Sequence, residues 1–176
     1  MIAEIKRRRD TSNPTKQMQT KIVLIFTLLL LAAGGGRPGK IPAKLSIDRS
    51  FHRPLEFQVQ EDGADVVLRT IVYAGLGGYE KGKVLSDRRR TLTAEEIARV
   101  RAALAAVAGS SPSDPMPAGG RDGSIWQFKE GRSWTRTIKI WTPQSESWLR
   151  DTKPVFEFGL LLWRLGKIEE PEKNLY

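Results

Sequence analysis

Residues 93–109 read TAEEIARVRAALAAVAG, and the rest of the chain is arranged around this stretch. Thr93 supplies a hydroxyl N-cap, and Glu96 stands at the third helical position, the spacing of a capping box. Ile97, Val100, Leu104 and Val107 recur at helical intervals with alanines between them, giving one apolar stripe. Gly109 and the following SSPSDP end the periodicity. The spacing therefore predicts a helix, and what lies on either side of it reads as strand.

On the N-terminal side, Leu55, Phe57 and Val59 alternate with Glu56, Gln58 and Gln60, the period of a strand. EDGAD follows, with Asp62-Gly63 at the centre of a turn, and then the β-branched run Asp65 to Ala74. A third strand falls between Lys83 and Thr91. On the C-terminal side, a long loop over 109–123 leads into a second hairpin. Its strands are Ser124 to Lys129 and Trp134 to Trp141, joined by Glu130-Gly131-Arg132 and stopped at Thr142-Pro143. Pro154 to Leu165, PVFEFGLLLWRL, is apolar almost all round and predicts a buried helix. The order β-β-β-α-β-β-α predicts an α+β fold: an antiparallel sheet of about five strands with both helices packed on one face.

The folded domain spans 55–168 on this reading. Residues 37–54, RPGKIPAKLSIDRSFHRP, are rich in proline and basic side chains and read as a linker or extended arm. The tail, 169–176, is charged and reads as loose. Residues 1–36 read as a leader. Ile22 to Ala33 form an apolar run broken only by Thr27, preceded by basic residues and followed by Gly34-Gly35-Gly36, which is the pattern of a secretory signal. The run is short for a spanning helix, which needs about 20 apolar residues. Met18 is a tidier start than Met1, since KRRR and its neighbours make an unusually long approach to the apolar core. An uncleaved anchor is the alternative. Without a cysteine, a lipid-anchored lipoprotein is excluded.

The chain has 176 residues, no cysteine and one histidine. Disulfides, thiolate metal sites, cysteine nucleophiles and multi-histidine metal centres are thereby excluded. The formal charge is +9, but residues 1–36 hold six of the 29 basic and two of the 20 acidic side chains, so the remainder carries +5. That balance suits an exported domain meeting a partner protein or an anionic envelope polymer, not nucleic acid. A membrane enters only through the N-terminal segment if it stays uncleaved. Gly77 to Val84, GGYEKGKV, nearly matches a phosphate-binding loop, but Val84 replaces the hydroxyl and no helix follows. His52 stands in the arm without a partner motif, and no nucleophile elbow is present. No catalytic, cofactor or metal residues are assigned.

Arg88, Arg89 and Arg90 are the densest basic cluster outside the leader, an anion contact or simply a solvated strand end. Trp126, Trp134 and Trp141 fall on neighbouring strands, where a tryptophan row forms either a ligand shelf or core packing. Alternation places Trp126 with Phe128 on the helix side. It places Trp134 with Ile138 and Ile140, and Trp141 with Thr137 and Lys139 on the opposite, polar side. The candidate contacts are therefore Trp141, Arg88, Arg89 and Arg90.

Asp122-Gly123-Ser124-x-Trp126, the later Trp141-x-Pro143 and the leucine-rich final helix resemble small bacterial proteins, often exported, that carry no assigned function. The resemblance covers Thr91 to Gly166 and implies an α+β fold without supplying catalytic residues. Together these readings point to an exported envelope protein acting as a non-enzymatic binding module. The alternatives are an envelope hydrolase of unrecognised type or a membrane-anchored helper. N-terminal sequencing of the chain from its native host is expected to find a terminus near Gly34–Gly36. An intact terminus upstream of Ile22 overturns the leader reading.

Overall fold

The computed structural model describes residues 41–75, 80–113, 122–144 and 150–175, all within a compact unit running Gly36–Tyr176. The apolar run Ile22 to Ala33 and most of the 109–123 loop lie outside the described residues. Six strands form one antiparallel sheet: β1 Ala43–Arg49, β2 Leu55–Asp62, β3 Asp65–Tyr73, β4 Val84–Thr91, β5 Ser124–Glu130 and β6 Arg136–Trp141. Their spatial order is β4-β3-β2-β1-β5-β6. Among the described residues, α-helices α1 (Ala94–Gly109) and α2 (Lys153–Leu165) pack with the sheet in an α+β fold. Both bury their apolar stripes in one core with Leu45, Phe57, Leu68, Trp126 and Ile140. Among the described residues, no helix is long and apolar enough to cross a membrane.

The sheet has six strands where the pattern predicts about five, and the additional one is β1. It lies inside the stretch that reads as an arm, yet it occupies the middle of the sheet. It pairs antiparallel with β2, from Ala43 opposite Val59 to Ile47 opposite Leu55. It also pairs with β5, from Ala43 opposite Glu130 to Arg49 opposite Ser124. Ala43, Leu45, Ile47 and Arg49 face the core, and Lys44, Ser46 and Asp48 face away.

The capping box closes as the sequence predicts. The Thr93 hydroxyl accepts from the Glu96 N–H at 3.3 Å, and the Glu96 carboxylate accepts from the Thr93 N–H at 2.9 Å. The far end of α1 is held by Arg136 of β6, whose guanidinium donates to the carbonyls of Val107 and Ser110 at 2.8 Å each. α2 approaches the sheet closely because Gly159 has no side chain. A Cβ there would collide with the Trp126 indole and meet Leu45 Cδ2 at 3.3 Å. Around this contact Phe128 meets Phe158 edge-on at 5.6 Å, and Trp126 lies 6.0 Å from Phe156.

Two further expectations are corrected. Trp134 is not in the last strand. It ends a turn in left-handed backbone (φ 52°) and is 40% exposed. Its N–H donates to the Gly131 carbonyl at 2.9 Å, which keeps it in the turn and delays β6 to Arg136. Nor is the described part of the tail loose. The buried Arg49 guanidinium donates to Glu170 Oε2 at 2.9 Å and to the Asn174 carbonyl at 2.7 Å. A short 3-10 turn over Glu172–Leu175 then buries Leu175 completely. The pairing joins residues 121 apart in sequence, so no local pattern announces it.

The Trp126–Gly159 contact fixes the sign of one substitution. On an exposed helix, glycine to alanine gains about 1 kcal/mol. Gly159→Ala is expected instead to cost about 1–3 kcal/mol through overpacking, and Leu104→Ala, with its fully buried side chain, about 2–4 kcal/mol. Urea denaturation measures both.

Candidate functional site

Alternation divides every strand between the helix-covered face and a second face that neither helix covers. The second face is mixed: Val67, Ile71, Ile125 and Trp141 stand on it among charged and polar side chains. Strand register aligns its side chains into rows that cross the sheet. One row runs Thr137, Lys129, Lys44, Gln58, Arg69, Arg89, one residue from each strand. Five strand spacings make it about 24 Å long. Within it, Lys129 stands directly opposite Lys44, and Arg69 directly opposite Arg89. Like charges so placed destabilise a sheet.

In each pair one cation is neutralised by the next row. Glu56 Oε1 meets Lys44 Nζ at 2.8 Å and also accepts from Gln58 Nε2 at 2.6 Å, and Glu56 Oε2 meets Lys81 Nζ at 3.3 Å. Burial pushes the Glu56 carboxyl up, but Lys44, Gln58 and Lys81 together outweigh it and hold the group below its ordinary value. Asp87 accepts from Arg69 Nε at 2.8 Å, and that hydrogen bond holds it low as well. Lys129 and Arg89 make no ion pair within 4 Å among the described residues, although the Arg89 charge also helps to hold Asp87 low. Asp48, on the same face, behaves oppositely. Burial raises its carboxyl against the pull of Lys81, and its Oδ1 is enclosed without a hydrogen bond.

At its middle, where Lys44 stands opposite Gln58, the row borders a cavity of about 380 Å³. Its walls are the start of β1, the end of β2 and the β5–β6 turn. Lys44, Gln58, Gln60, Glu61, Arg132 and Trp134 line it. The turn is fastened to the wall opposite, since the Gly131 N–H donates to the Pro42 carbonyl at 2.9 Å. Trp134 thus holds an unfavourable backbone conformation, a strain of about 1–3 kcal/mol, while exposing its ring at the cavity.

The candidate arginines do not converge. Arg89 belongs to the open face. Arg88 and Arg90 lie on the other, opposite Thr70 and Leu68. Arg88 lines a separate cavity of about 260 Å³ beside Glu169 and Glu170. Arg90 is occupied by the fold: it grips Glu96 through two hydrogen bonds of 2.9 Å and donates to the Leu165 carbonyl at 2.9 Å.

Trp141 is half-buried on the open face, opposite Ile125. A Cβ at Gly123 (φ 149°) would meet its ring at 3.0 Å and collide with Thr142. Ser124 and Thr142 exchange hydrogen bonds of 3.1 and 2.7 Å, and Ser124 Oγ accepts from Trp126 Nε1 at 2.8 Å. The Gly-Ser-x-Trp and Trp-x-Pro residues therefore form one packing lock. Trp126 is fully buried within it.

Lys44, Lys129, Arg69 and Arg132 escape the sequence reading, although the outward alternation of Lys44 and Lys129 was visible as a signal, and Trp134 enters it only as a member of the tryptophan row. The near-match to a phosphate loop leads into β4, a strand, with residues 76–79 outside the described ones. His52 lies 3.8 Å from Glu170. Among the described residues, no group of three metal-ligating side chains comes together. Comparison with family models, curated proteins and solved structures returns no match.

The Arg90–Glu96 clasp has an acid signature. The Arg90 hydrogen bonds, with the Thr93 N–H, lower the Glu96 carboxyl from 4.5 to about 2. A carboxyl lower in the folded state than in the unfolded one adds stability that is complete above its unfolded value and is lost as pH falls. Urea midpoints are expected to drop between pH 4.5 and 2 in the parent protein, and to drop less in Glu96→Gln.

Proposed function

We propose that this chain is an exported, non-enzymatic binding module of the cell envelope, and that its uncovered sheet face holds an anionic polymer. The observation that carries this reading is the cation row with its two like-charge cross-strand pairs. A row that only had to fold would avoid such pairs. Here each pair is half-neutralised, which leaves Lys129 and Arg89 available to a ligand at opposite ends of one line. The apolar run ahead of the domain supports export, and the net positive charge of the remainder suits an anionic partner.

A second reading, an envelope hydrolase, draws on Asp48 and Glu56. Two carboxyls on one face are pushed in opposite directions, as acid and base partners are. Neither lines the 380 Å³ cavity, and Glu56 is fully engaged by its neighbours, which places this reading second. Release of soluble fragments from purified envelope polymer, abolished by Asp48→Asn, would establish it.

Binding of polyphosphate to the full chain tests the first reading. The double variant Lys129→Glu, Arg89→Glu is expected to weaken it by at least about tenfold at low ionic strength, with the difference shrinking as salt is added. Arg88→Glu, on the other face of the same strand, should leave it unchanged. Binding that ignores the double variant, or that Arg88→Glu weakens equally, overturns the assignment of this face.

A further inference from the structure

We propose that the cavity beside β1 holds one unit of an anionic saccharide, with Trp134 as the stacking platform and Arg132 reading the acidic group. The inference rests on the anionic-polymer reading and names the class of polymer. Four observations converge on it.

First, Trp134 combines left-handed backbone with an exposed ring. Neither feature serves the core, and the hydrogen bonds from Trp134 to Gly131 and from Gly131 to Pro42 hold the ring at the cavity in advance of any ligand. Tryptophan faces stack on the apolar faces of ring-shaped ligands. Second, the polar lining is amide and carboxylate, from Gln58, Gln60 and Glu61. These groups both donate and accept, which matches a ring bearing several hydroxyls. Glu61 accepts from a hydroxyl. Third, the cationic wall is Arg132, exposed and with no ion-pair partner among the described residues. Its planar fork suits a carboxylate or a sulfate. Fourth, Lys44 belongs to both the cavity and the cation row, so a chain with an internal unit in the cavity reaches Lys129 on one side and Arg69 on the other. The cavity's volume lies within the ordinary range for small-ligand sites.

A single-stranded nucleic acid is the competing occupant. Such strands are held by successive aromatic platforms along a basic groove. The row Thr137, Lys129, Lys44, Gln58, Arg69, Arg89 contains no aromatic side chain. The saccharide is therefore the better fit.

The test titrates the full chain with hexagalacturonate, maltohexaose, polyphosphate and oligothymidylate, reading tryptophan fluorescence and calorimetry. Hexagalacturonate is expected to bind more tightly than the other three. Trp134→Ala should weaken it about tenfold, with Trp134→Phe recovering most of the loss, while polyphosphate affinity stays unchanged. Arg132→Ala should narrow the preference for hexagalacturonate over maltohexaose, and adding Lys129→Glu and Arg89→Glu should remove the remainder. Thermal melts of each variant guard against loss of the fold, and the phenylalanine variant supplies an answer if the alanine variant fails to fold. Polyphosphate binding that persists while hexagalacturonate ignores Trp134 overturns the cavity and leaves the anionic-polymer reading standing. Tighter binding of oligothymidylate overturns the saccharide in favour of nucleic acid. Binding of none of the four overturns both readings.

Discussion

Strand β1 is the seam of this molecule. Without it, the hairpin of β2 and β3 with β4 and the hairpin of β5 and β6 have no shared hydrogen-bond ladder. An isolated hairpin is marginal in water, and a sheet of this size becomes stable when one face is covered. β1 supplies both conditions. It bridges the two hairpins, and its inward residues Leu45 and Ile47 are completely buried beneath the helices. Its last residue, Arg49, carries the constraint further. A buried guanidinium is costly unless every donor finds a partner. Arg49 finds Glu170, the carbonyls of Arg53 and Asn174, and the face of Trp163 at 5.4 Å. Burial lowers its proton affinity, and Glu170 opposes that shift. The chain's last described turn is thus held in place by the first strand.

What was legible in the sequence was local. The capping box at Thr93 and Glu96, the alternation through Leu55, Phe57 and Val59, and the Asp62-Gly63 turn each depend on residues within a few positions of one another. β1 was obscured because prolines stand on both sides of it, at 42 and 54, and two basic residues, Lys44 and Arg49, fall within it. Its alternating pattern, Ala43, Leu45, Ile47 against Lys44, Ser46, Asp48, was nonetheless present. The tail was misread because Arg49 and Glu170 meet across most of the domain. The arginine cluster held its own correction: three consecutive strand residues cannot share a face. Trp134 was placed in a strand because the period-two pattern continues back to it. The turn's hydrogen bond to Gly131 was not readable from that pattern.

The candidate site was less legible than the fold for a physical reason. A cation row is a property of register, and register is set by pairings between strands distant in sequence. Lys44 and Lys129 are unremarkable solvent-facing lysines until β1 and β5 are aligned. The same holds for Arg69 and Arg89. The cavity is a junction of three elements, and only the assembled sheet brings Trp134 to Gln58.

The two faces of the sheet divide the work of the molecule, and the division follows from β1 having residues on both. Its inward set is apolar, apart from the fully satisfied Arg49. Its outward set is Lys44, Ser46 and Asp48, among which the Asp48 Oδ1 is enclosed without a partner and Lys44 faces Lys129. A natural core leaves few such defects, because each raises the free energy of the folded state. Here the Asp48 Oδ1 and both like-charge pairs lie on the face that neither helix covers. The apolar core lies on one side of the sheet and the like-charge pairs on the other. On the proposed reading, a ligand that supplies negative charge to this side eases only the repulsion that Glu56 and Asp87 leave between the paired cations.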